Sequence, residues 1–372
     1  MKNFPMYLPW LPERTQLVMR NAKTDLLMLD VQLGSACNAR CPRCDSACAS
    51  LNEPAEINLD ALCKLAAEID QRQLEIAGQA HDSTLPGGRN LGFVCGLGEP
   101  TVAENMSKLR EILARTADYE FSWSMFSNGI CWDNELEHYL ETGRLFVAVQ
   151  YNSNQLTRVA RMLGVGCKRA AVHLTNRGHL LKIANDLNQR HIERTGESLA
   201  SVAASIVPER DNLDELMELI AECARHGVFP LIGELENAGY AKDGNYHEQH
   251  KLQSSELQHL HQQIAERFGV DYVMPTCPAT IGAIHINNRN IVTVDEFTGL
   301  SCGWFGMGDP KAHEIGDIRE ISYTEIVHRI LEYRKLRIPE VRKAIQDYPE
   351  MVFGGCGGNA RKLLADYVAL YD

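Results

Sequence analysis

Four cysteines stand within twelve residues near the start of the chain: Cys37, Cys41, Cys44 and Cys48. The first three, hereafter the cysteine triplet, have three residues between one pair and two between the next. Thiolates are the usual ligands of iron–sulfur clusters, and three of them can bind three irons of a four-iron cube. The fourth iron then needs a ligand from outside the chain. The spacing therefore predicts an open iron at which chemistry can take place.

Strand-like runs alternate with helix-like runs from residue 26 to about residue 236. The predicted strands are 26–33, 91–95, 121–126, 145–151, 199–207 and 228–235. Repeated β–α units predict a parallel sheet with helices on its outer face. Right-handed crossovers curl such a sheet toward an incomplete barrel, so we expect an α/β fold built on a partial (β/α)6 barrel.

Three unusual loops follow the first three predicted strands. They are the cysteine loop (residues 34–44), the Gly-Glu-Pro loop (residues 96–101) and the Ser-Asn-Gly turn (residues 127–129). In barrels of this kind the functional site lies at the carboxyl ends of the strands, where these loops emerge. Gly96 and Gly98 lack a Cβ, which lets the backbone approach a ligand closely. We therefore expect the three loops to form one site.

The pattern changes after residue 240. A β-hairpin is predicted over 281–294, with Cys277 before it and Cys302 after it, and a glycine-rich run surrounds Cys356. These features predict a small C-terminal α+β extension that contains the hairpin. The expected organisation is an N-terminal segment, the barrel and the extension, over residues 1–25, 26–240 and 241–372.

Composition excludes several classes of partner. The chain has 372 residues, 45% apolar residues and a net charge of −12, with no basic face for nucleic acid or an anionic membrane. No signal peptide and no apolar run long enough for a membrane span is evident, so we expect a cytoplasmic protein. Its twelve cysteines are then metal ligands or free thiols, because that compartment is reducing.

The chain resembles the radical S-adenosylmethionine (SAM) enzymes. The resemblance rests on Cys37-x-x-x-Cys41-x-x-Cys44 after the first strand and Leu97-Gly-Glu-Pro100 after the second, and it covers about residues 26–236. In this family the three thiolates bind a 4Fe–4S cluster, and SAM chelates the open iron. Reductive cleavage of SAM then gives a 5′-deoxyadenosyl radical, which abstracts a hydrogen atom from the substrate.

The resemblance also implies which residues contact SAM. The set is Gly96, Gly98, Glu99, Pro100, Ser127, Asn128, Asn152 and Val207. Backbone carbonyls of the Gly-Glu-Pro loop are expected to hold the SAM amino group, with Glu99 shaping the loop. Asn152 is expected near the ribose or carboxylate, and Val207 near the adenine. The family usually has an aromatic residue where this chain has Arg43, which leaves the role of that side chain open.

The C-terminal part resembles the twitch domain, a shortened relative of the SPASM domain that holds an auxiliary 4Fe–4S cluster. Its expected ligands are Cys277, Cys302 and Cys356. The fourth ligand is open: Cys48, Cys167, another side chain or the substrate. The alternatives for this region are a zinc site or unrelated buried thiols.

The sequence also predicts the roles of several other side chains. Cys95, beside the Gly-Glu-Pro loop, is a candidate hydrogen donor to a product radical, with a packed strand cysteine as the alternative. Alternation with Ile284 and Ile286 predicts that His285 points to solvent. Asn58 and Asn212 each precede a helix-like run and are predicted to be N-caps.

The expected function is hydrogen abstraction from a small polar metabolite of the sugar or aminocyclitol type, dehydrogenated or epimerised in secondary-metabolite biosynthesis. Only 36 residues precede Cys37, which we take to leave no room for a separate peptide-recognition domain. A reductant such as flavodoxin or ferredoxin is implied. The first alternative is a maturase that modifies a ribosomal peptide, and the second is a non-catalytic α/β binding module with zinc on the triplet and Cys48.

Overall fold

The computed structural model describes residues 6–7, 18–44, 57–77, 90–94, 98–233, 235, 239–243, 245–268, 281–300, 312–347 and 360–371. Its strands are β1 Met6–Tyr7, β2 Met28–Val31, β3 Asn90–Val94, β4 Phe121–Ser127, β5 Leu145–Gln150, β6 Leu199–Ala200, β7 Val202–Ile206, β8 Phe229–Ile232, β9 Ala283–Ile286, β10 Ile291–Asp295 and β11 Ala312–Asp317. Its helices are α1 Leu59–Ala77, α2 Ala103–Arg115, α3 Glu135–Glu141, α4 Leu156–Leu163, α5 Cys167–Thr195, α6 Leu213–Arg225, α7 Gly239–Asp243, α8 Tyr246–His250, α9 Ser254–Phe268, α10 Tyr323–Asp347 and α11 Ala360–Ala369.

One sheet organises the described chain. Its strand order is β11-β10-β9-β2-β3-β4-β5-β7-β8, and the six strands from β2 to β8 in that order are all parallel. This arrangement confirms the partial (β/α)6 barrel. A separate parallel pair joins β1 to β6.

The predicted C-terminal hairpin is also confirmed, and its position adds to the barrel. Strands β9 and β10 are antiparallel, and β9 pairs in parallel with β2, so that Ala283 lies opposite Met28. The turn between them is fixed by Asn287, whose Oδ1 accepts the backbone N–H groups of Arg289 and Ile291. The hairpin therefore continues the barrel sheet beyond its first strand.

The two faces of the sheet carry different side chains. Leu29 packs outward against helix residues such as Leu62 of α1. Met28 points to the other face and packs there with strand residues such as Phe146. Because side chains alternate along a strand, Asp30 shares the face of Met28. That face is the concave interior of the barrel, since the helices cover the opposite one.

The helices agree only in part with the sequence prediction. Asn58 caps α1 as predicted, because its Oδ1 accepts the N–H of Ala61 at 2.9 Å. The apolar pattern of the sequence predicts a helix over about 180–192, and the structure shows it as the second half of a much longer α5. The polar segment 242–251 reads as a loop in the sequence, but it holds the short helix α8 and the end of α7. No helix among the described residues is long and apolar enough to cross a membrane.

Candidate functional site

The cysteine triplet lies in the loop after β2, at the carboxyl edge of the sheet. None of the three cysteines forms a disulfide, and all three are partly exposed. A turn closed by Cys44 N–H on the carbonyl of Cys41 (3.0 Å) separates the last two. Cys37 and Cys41 pack against an apolar cluster that includes Ile130 and Leu163. Three thiols on one short loop, two of them beside an apolar wall, are a donor set that fits three irons of a cube.

The two candidate groups for the triplet need different arrangements of thiols. A four-iron cube binds each thiolate at a different iron, so its ligands are spread over separate corners. The zinc alternative needs Cys48 as a fourth ligand, and that residue lies outside the described residues.

Gly98 brings the Gly-Glu-Pro loop against the cysteine loop. Its φ is +76°, and a Cβ there would stand 2.1 Å from the carbonyl oxygen of Gly34. The next residue, Glu99, donates its N–H to the carbonyl of Ala36 at 2.8 Å. The Asn105 side chain of α2 donates to the carbonyls of both Glu99 (2.9 Å) and Ala36 (3.3 Å). Only glycine allows this approach.

The Glu99 side chain joins the same loop to the Ser-Asn-Gly turn. Its Oε1 accepts the hydroxyls of Thr101 (2.5 Å) and Ser127 (2.8 Å), and its Oε2 accepts the N–H of Asn128 at 2.6 Å. The carboxyl is 3% exposed. Burial raises its pKa, and these hydrogen bonds oppose that shift. Glu99 therefore points into the protein and holds two loops together, as expected for a residue that shapes the loop.

Asn128 is fixed on three sides. Its Nδ2 donates to Asn38 Oδ1 in the cysteine loop at 2.7 Å, and its Oδ1 accepts the N–H of Ile130. Its carbonyl oxygen lies 2.6 Å from Nδ1 of His173, a residue of α5 that is 2% exposed. Burial and the nearby Arg177 lower the pKa of His173 to about 4, so the neutral ring donates from Nδ1. Nothing in the sequence pattern marked His173 as part of this site.

Asn152 and Val207 meet where β5 and β7 end. Asn152 Oδ1 accepts the N–H of Val207 at 2.8 Å. Asn212 completes the contact, because its Nδ2 donates to the carbonyls of Asn152 (3.1 Å) and Val207 (3.0 Å). Asn212 occupies the N-cap position of the following helix, as predicted, but its side chain makes no capping hydrogen bond there. These two expected SAM contacts therefore lie side by side.

Arg43 has a partner that the sequence did not indicate. Its Nη1 lies 2.5 Å from Oε1 of Glu209, with side chains 6% and 0% exposed. Tyr246 of α8 donates its hydroxyl to the other carboxylate oxygen at 2.6 Å. A buried arginine needs an acid nearby, because buried charges are paired, but the sequence showed neither the burial of Arg43 nor the acid.

Asp30 and His285 form a second buried pair, on the concave face of the barrel. Asp30 Oδ2 lies 2.9 Å from His285 Nδ1, and the residues are opposite each other in the β2–β9 register. His285 is 6% exposed, so the prediction that it faces solvent is wrong. Strand β9 lies between β2 and β10 in the sheet. Ile284 and Ile286 pack on the helix-covered face, so His285 between them faces the barrel interior. On the same face, Gln150 buries a side-chain oxygen with no partner in the described chain.

Several predicted site residues lie outside the described residues. They are Cys48, Cys95, Gly96, Cys277, Cys302 and Cys356. The structure brings the other predicted residues to one edge: the triplet, Gly98 and Glu99, the Ser-Asn-Gly turn, and the Asn152–Val207 contact. Pro100 is buried next to Glu99.

No family model matches the chain, and no curated protein matches it. Solved structures do. Streptococcus suis SuiB bound to S-adenosylmethionine is 13% identical with a TM-score of 0.55, over 84% of this chain and 68% of SuiB. SuiB bound to the precursor peptide SuiA is 12% identical with a TM-score of 0.51, over 87% and 70%. At this low identity, the matches show only that the fold is similar. That similarity of fold agrees with the resemblance to radical SAM enzymes.

Proposed function

We propose that the chain is a radical SAM enzyme. The observation that carries the proposal is the convergence of the cysteine triplet, the Gly-Glu-Pro loop and the Ser-Asn-Gly turn at the carboxyl edge of one parallel sheet. Glu99 joins these segments, because its N–H donates to Ala36 of the cysteine loop and its carboxylate accepts from Ser127 and Asn128 of the turn. The likeness in fold to SuiB, a protein solved with S-adenosylmethionine, supports the same reading.

The chain's own residues have separate proposed roles around the cofactor. The triplet would hold a 4Fe–4S cluster, and carbonyls of the Gly-Glu-Pro loop would receive the SAM amino group. Asn152 and Val207 would border the ribose and adenine. When bound, the reduced cluster and SAM supply a 5′-deoxyadenosyl radical that removes a hydrogen atom from substrate. A flavodoxin or ferredoxin would supply the electron.

We propose a small polar metabolite as the substrate and dehydrogenation or epimerisation as the reaction. The Asp30–His285 pair and the unpartnered oxygen of Gln150 support this, because they put hydrogen-bonding groups on the concave face. Buried polar groups without partners are costly in a finished fold. A hydroxyl or amino group of a substrate would supply the missing partner.

A peptide substrate is the second candidate. The observation that favours it is the likeness to SuiB solved with its precursor peptide SuiA. A ribosomal peptide could also present one polar side chain to the same concave face. Under either candidate we propose that Cys277, Cys302 and Cys356 hold an auxiliary cluster in a twitch-like extension.

Anaerobic reconstitution with iron and sulfide tests the proposal. The protein should turn brown and, once reduced with dithionite, cleave SAM to methionine and 5′-deoxyadenosine. Replacement of each triplet cysteine by alanine should abolish cleavage, while Cys63→Ala should not, since Cys63 is buried in α1, apart from the triplet. A colourless protein that binds zinc and leaves SAM intact would establish the binding-module alternative instead.

A further inference from the structure

Arg43 and Glu209 bring opposite charges together inside the protein across a long stretch of sequence. Arg43 immediately precedes Cys44, and Glu209 follows the end of β7 by three residues. Neither side chain reaches solvent to any extent, at 6% and 0% exposure. Arginine stays protonated in proteins, so the buried guanidinium of Arg43 needs the Glu209 carboxylate as its partner.

Glu209 is itself fixed by two further contacts. Its N–H donates to Asn212 Oδ1 at 2.9 Å, and Asn212 in turn clamps the carbonyls of Asn152 and Val207. Tyr246 donates to Glu209 Oε2 at 2.6 Å, and burial keeps this phenol protonated by raising its pKa. The carboxylate is therefore a fixed point at the ends of β5 and β7.

Stability alone is a weak reason for such a pair. The desolvation of two buried charges offsets most of their attraction, and well-packed apolar residues often serve as well. The pair does fix geometry, because a short contact to a fixed carboxylate restricts the Arg43 side chain to one position. Arg43 lies between two residues of the triplet, Cys41 and Cys44.

We propose that Arg43 and Glu209 are positioning residues that tie the proposed cluster ligand Cys44 to the strand ends where SAM is proposed to bind. The pair would set two properties: the affinity for SAM and the reduction potential of the cluster. The inference rests on the proposed function. The inference is specific to this chain, because the resemblance to radical SAM enzymes predicts an aromatic residue at the position of Arg43.

The test uses the reconstituted full chain and two readouts that need no substrate. One is SAM affinity, from the change that SAM produces in the electron paramagnetic resonance spectrum of the reduced cluster. The other is the midpoint potential of the cluster. Glu209→Gln should weaken SAM binding on the order of tenfold to a hundredfold, as for other outer-shell partners of metal sites. It should also raise the potential, because Arg43 would be left uncompensated beside the thiolates.

A double variant separates charge from geometry. Arg43→Met/Glu209→Leu removes both charges and the tie, so the potential should return toward the wild-type value while SAM binding stays weak. Asp25→Asn is the matched control. It breaks a 2.6 Å ion pair with Arg72 at the opposite, amino end of β2, and both readouts should stay unchanged.

The outcomes are distinct. Wild-type SAM affinity and potential in Glu209→Gln would overturn the inference and leave the proposed function intact. Failure of the wild-type chain to assemble a cluster would instead remove the proposed function. If Glu209→Gln does not fold, Tyr246→Phe removes only the hydroxyl contact. It should weaken SAM binding without moving the potential, and unchanged binding there would overturn the inference.

Discussion

The Ser127 hydroxyl donates a 2.8 Å hydrogen bond to the buried carboxylate of Glu99. Ser127 ends β4 and Glu99 follows β3, so this bond fixes two neighbouring loops at the carboxyl edge of the sheet. Three neutral residues donate to the carboxylate: Thr101, Ser127 and Asn128. The Glu99 carboxylate therefore holds the site together, and its hydrogen bonds are made to residues inside the protein.

Glu99→Gln should therefore be strongly destabilising. The amide presents two N–H donors where the carboxylate accepted only, so it opposes at least one neighbouring donor. We expect a loss on the order of 2–4 kcal/mol in the free energy of unfolding, measured by denaturant titration. Glu104→Gln, at an exposed position in the first turn of α2, should change it little. Equal stability of the two variants would contradict the role given to Glu99.

Gly98→Ala should disrupt the site by steric conflict. The new Cβ would meet the Gly34 oxygen at 2.1 Å and the Ala36 oxygen at 2.7 Å, both backbone atoms, at a φ that disfavours alanine. We expect a loss on the order of 2–4 kcal/mol in stability and loss of SAM cleavage.

Gly178→Ala is the matched control for that variant. Nothing stands within 4 Å of a Cβ at this position inside α5, so stability should rise by roughly 0.5–1 kcal/mol. Thermal unfolding and 5′-deoxyadenosine assays of both variants provide the comparison. A Gly98→Ala protein that cleaves SAM normally would show that the loops need not approach so closely.

Stability should depend on pH through His173. Its pKa is lowered to about 4 in the folded protein, against roughly 6.5 when unfolded. Between these values only the unfolded state gains the proton, so stability is full above pH ~6.5 and falls as the pH drops toward ~4. The loss attributable to this residue is about 3 kcal/mol.

A matched pair of variants isolates that contribution. His173→Asn keeps an N–H donor near the carbonyl of Asn128 and cannot titrate, so the slope of stability against pH in this window should flatten. His328→Asn, at an exposed position of α10, should leave the slope unchanged. Unfolding free energies measured from pH 4 to 7 decide, and an unaltered slope in His173→Asn would argue against a buried neutral ring.

The proposed auxiliary cluster is open to iron counting. Replacing Cys277, Cys302 and Cys356 together by alanine should remove about half of the bound iron, because two four-iron cubes would become one. Cleavage of SAM to 5′-deoxyadenosine should persist, since the triplet is untouched. Iron content equal to that of the wild-type chain would eliminate these cysteines as cluster ligands.

Local pattern was enough to predict the barrel and the convergence of its loops. The strand runs are apolar and short, and parallel strands place all their carboxyl ends at one edge, so residues that follow each strand must meet. The hairpin could also be predicted, because Asn287 and Asn290 favour a tight turn. Glu99 could be predicted as a loop-shaping residue, but its three donor residues could not.

Pairings between distant residues could not be predicted. His285 was assigned to solvent because alternation along β9 does not reveal that β2 lies beside it, 255 residues earlier in the sequence. Arg43 had no visible partner because Glu209 is 166 residues away. Asn212 occupies the predicted N-cap position, but the local sequence could not show that its side chain binds the carbonyls of Asn152 and Val207.

The amino-acid sequence by itself determined the strand and helix pattern, the end of the sheet that carries the site, and the thiol chemistry of the triplet. These depend on periodicity and on residue type, which are local. Only the tertiary structure decided which buried charges pair, which polar groups face the barrel interior, and that the hairpin extends the barrel sheet. Those depend on which strands become neighbours, and burial then requires each enclosed polar group to find its partner there.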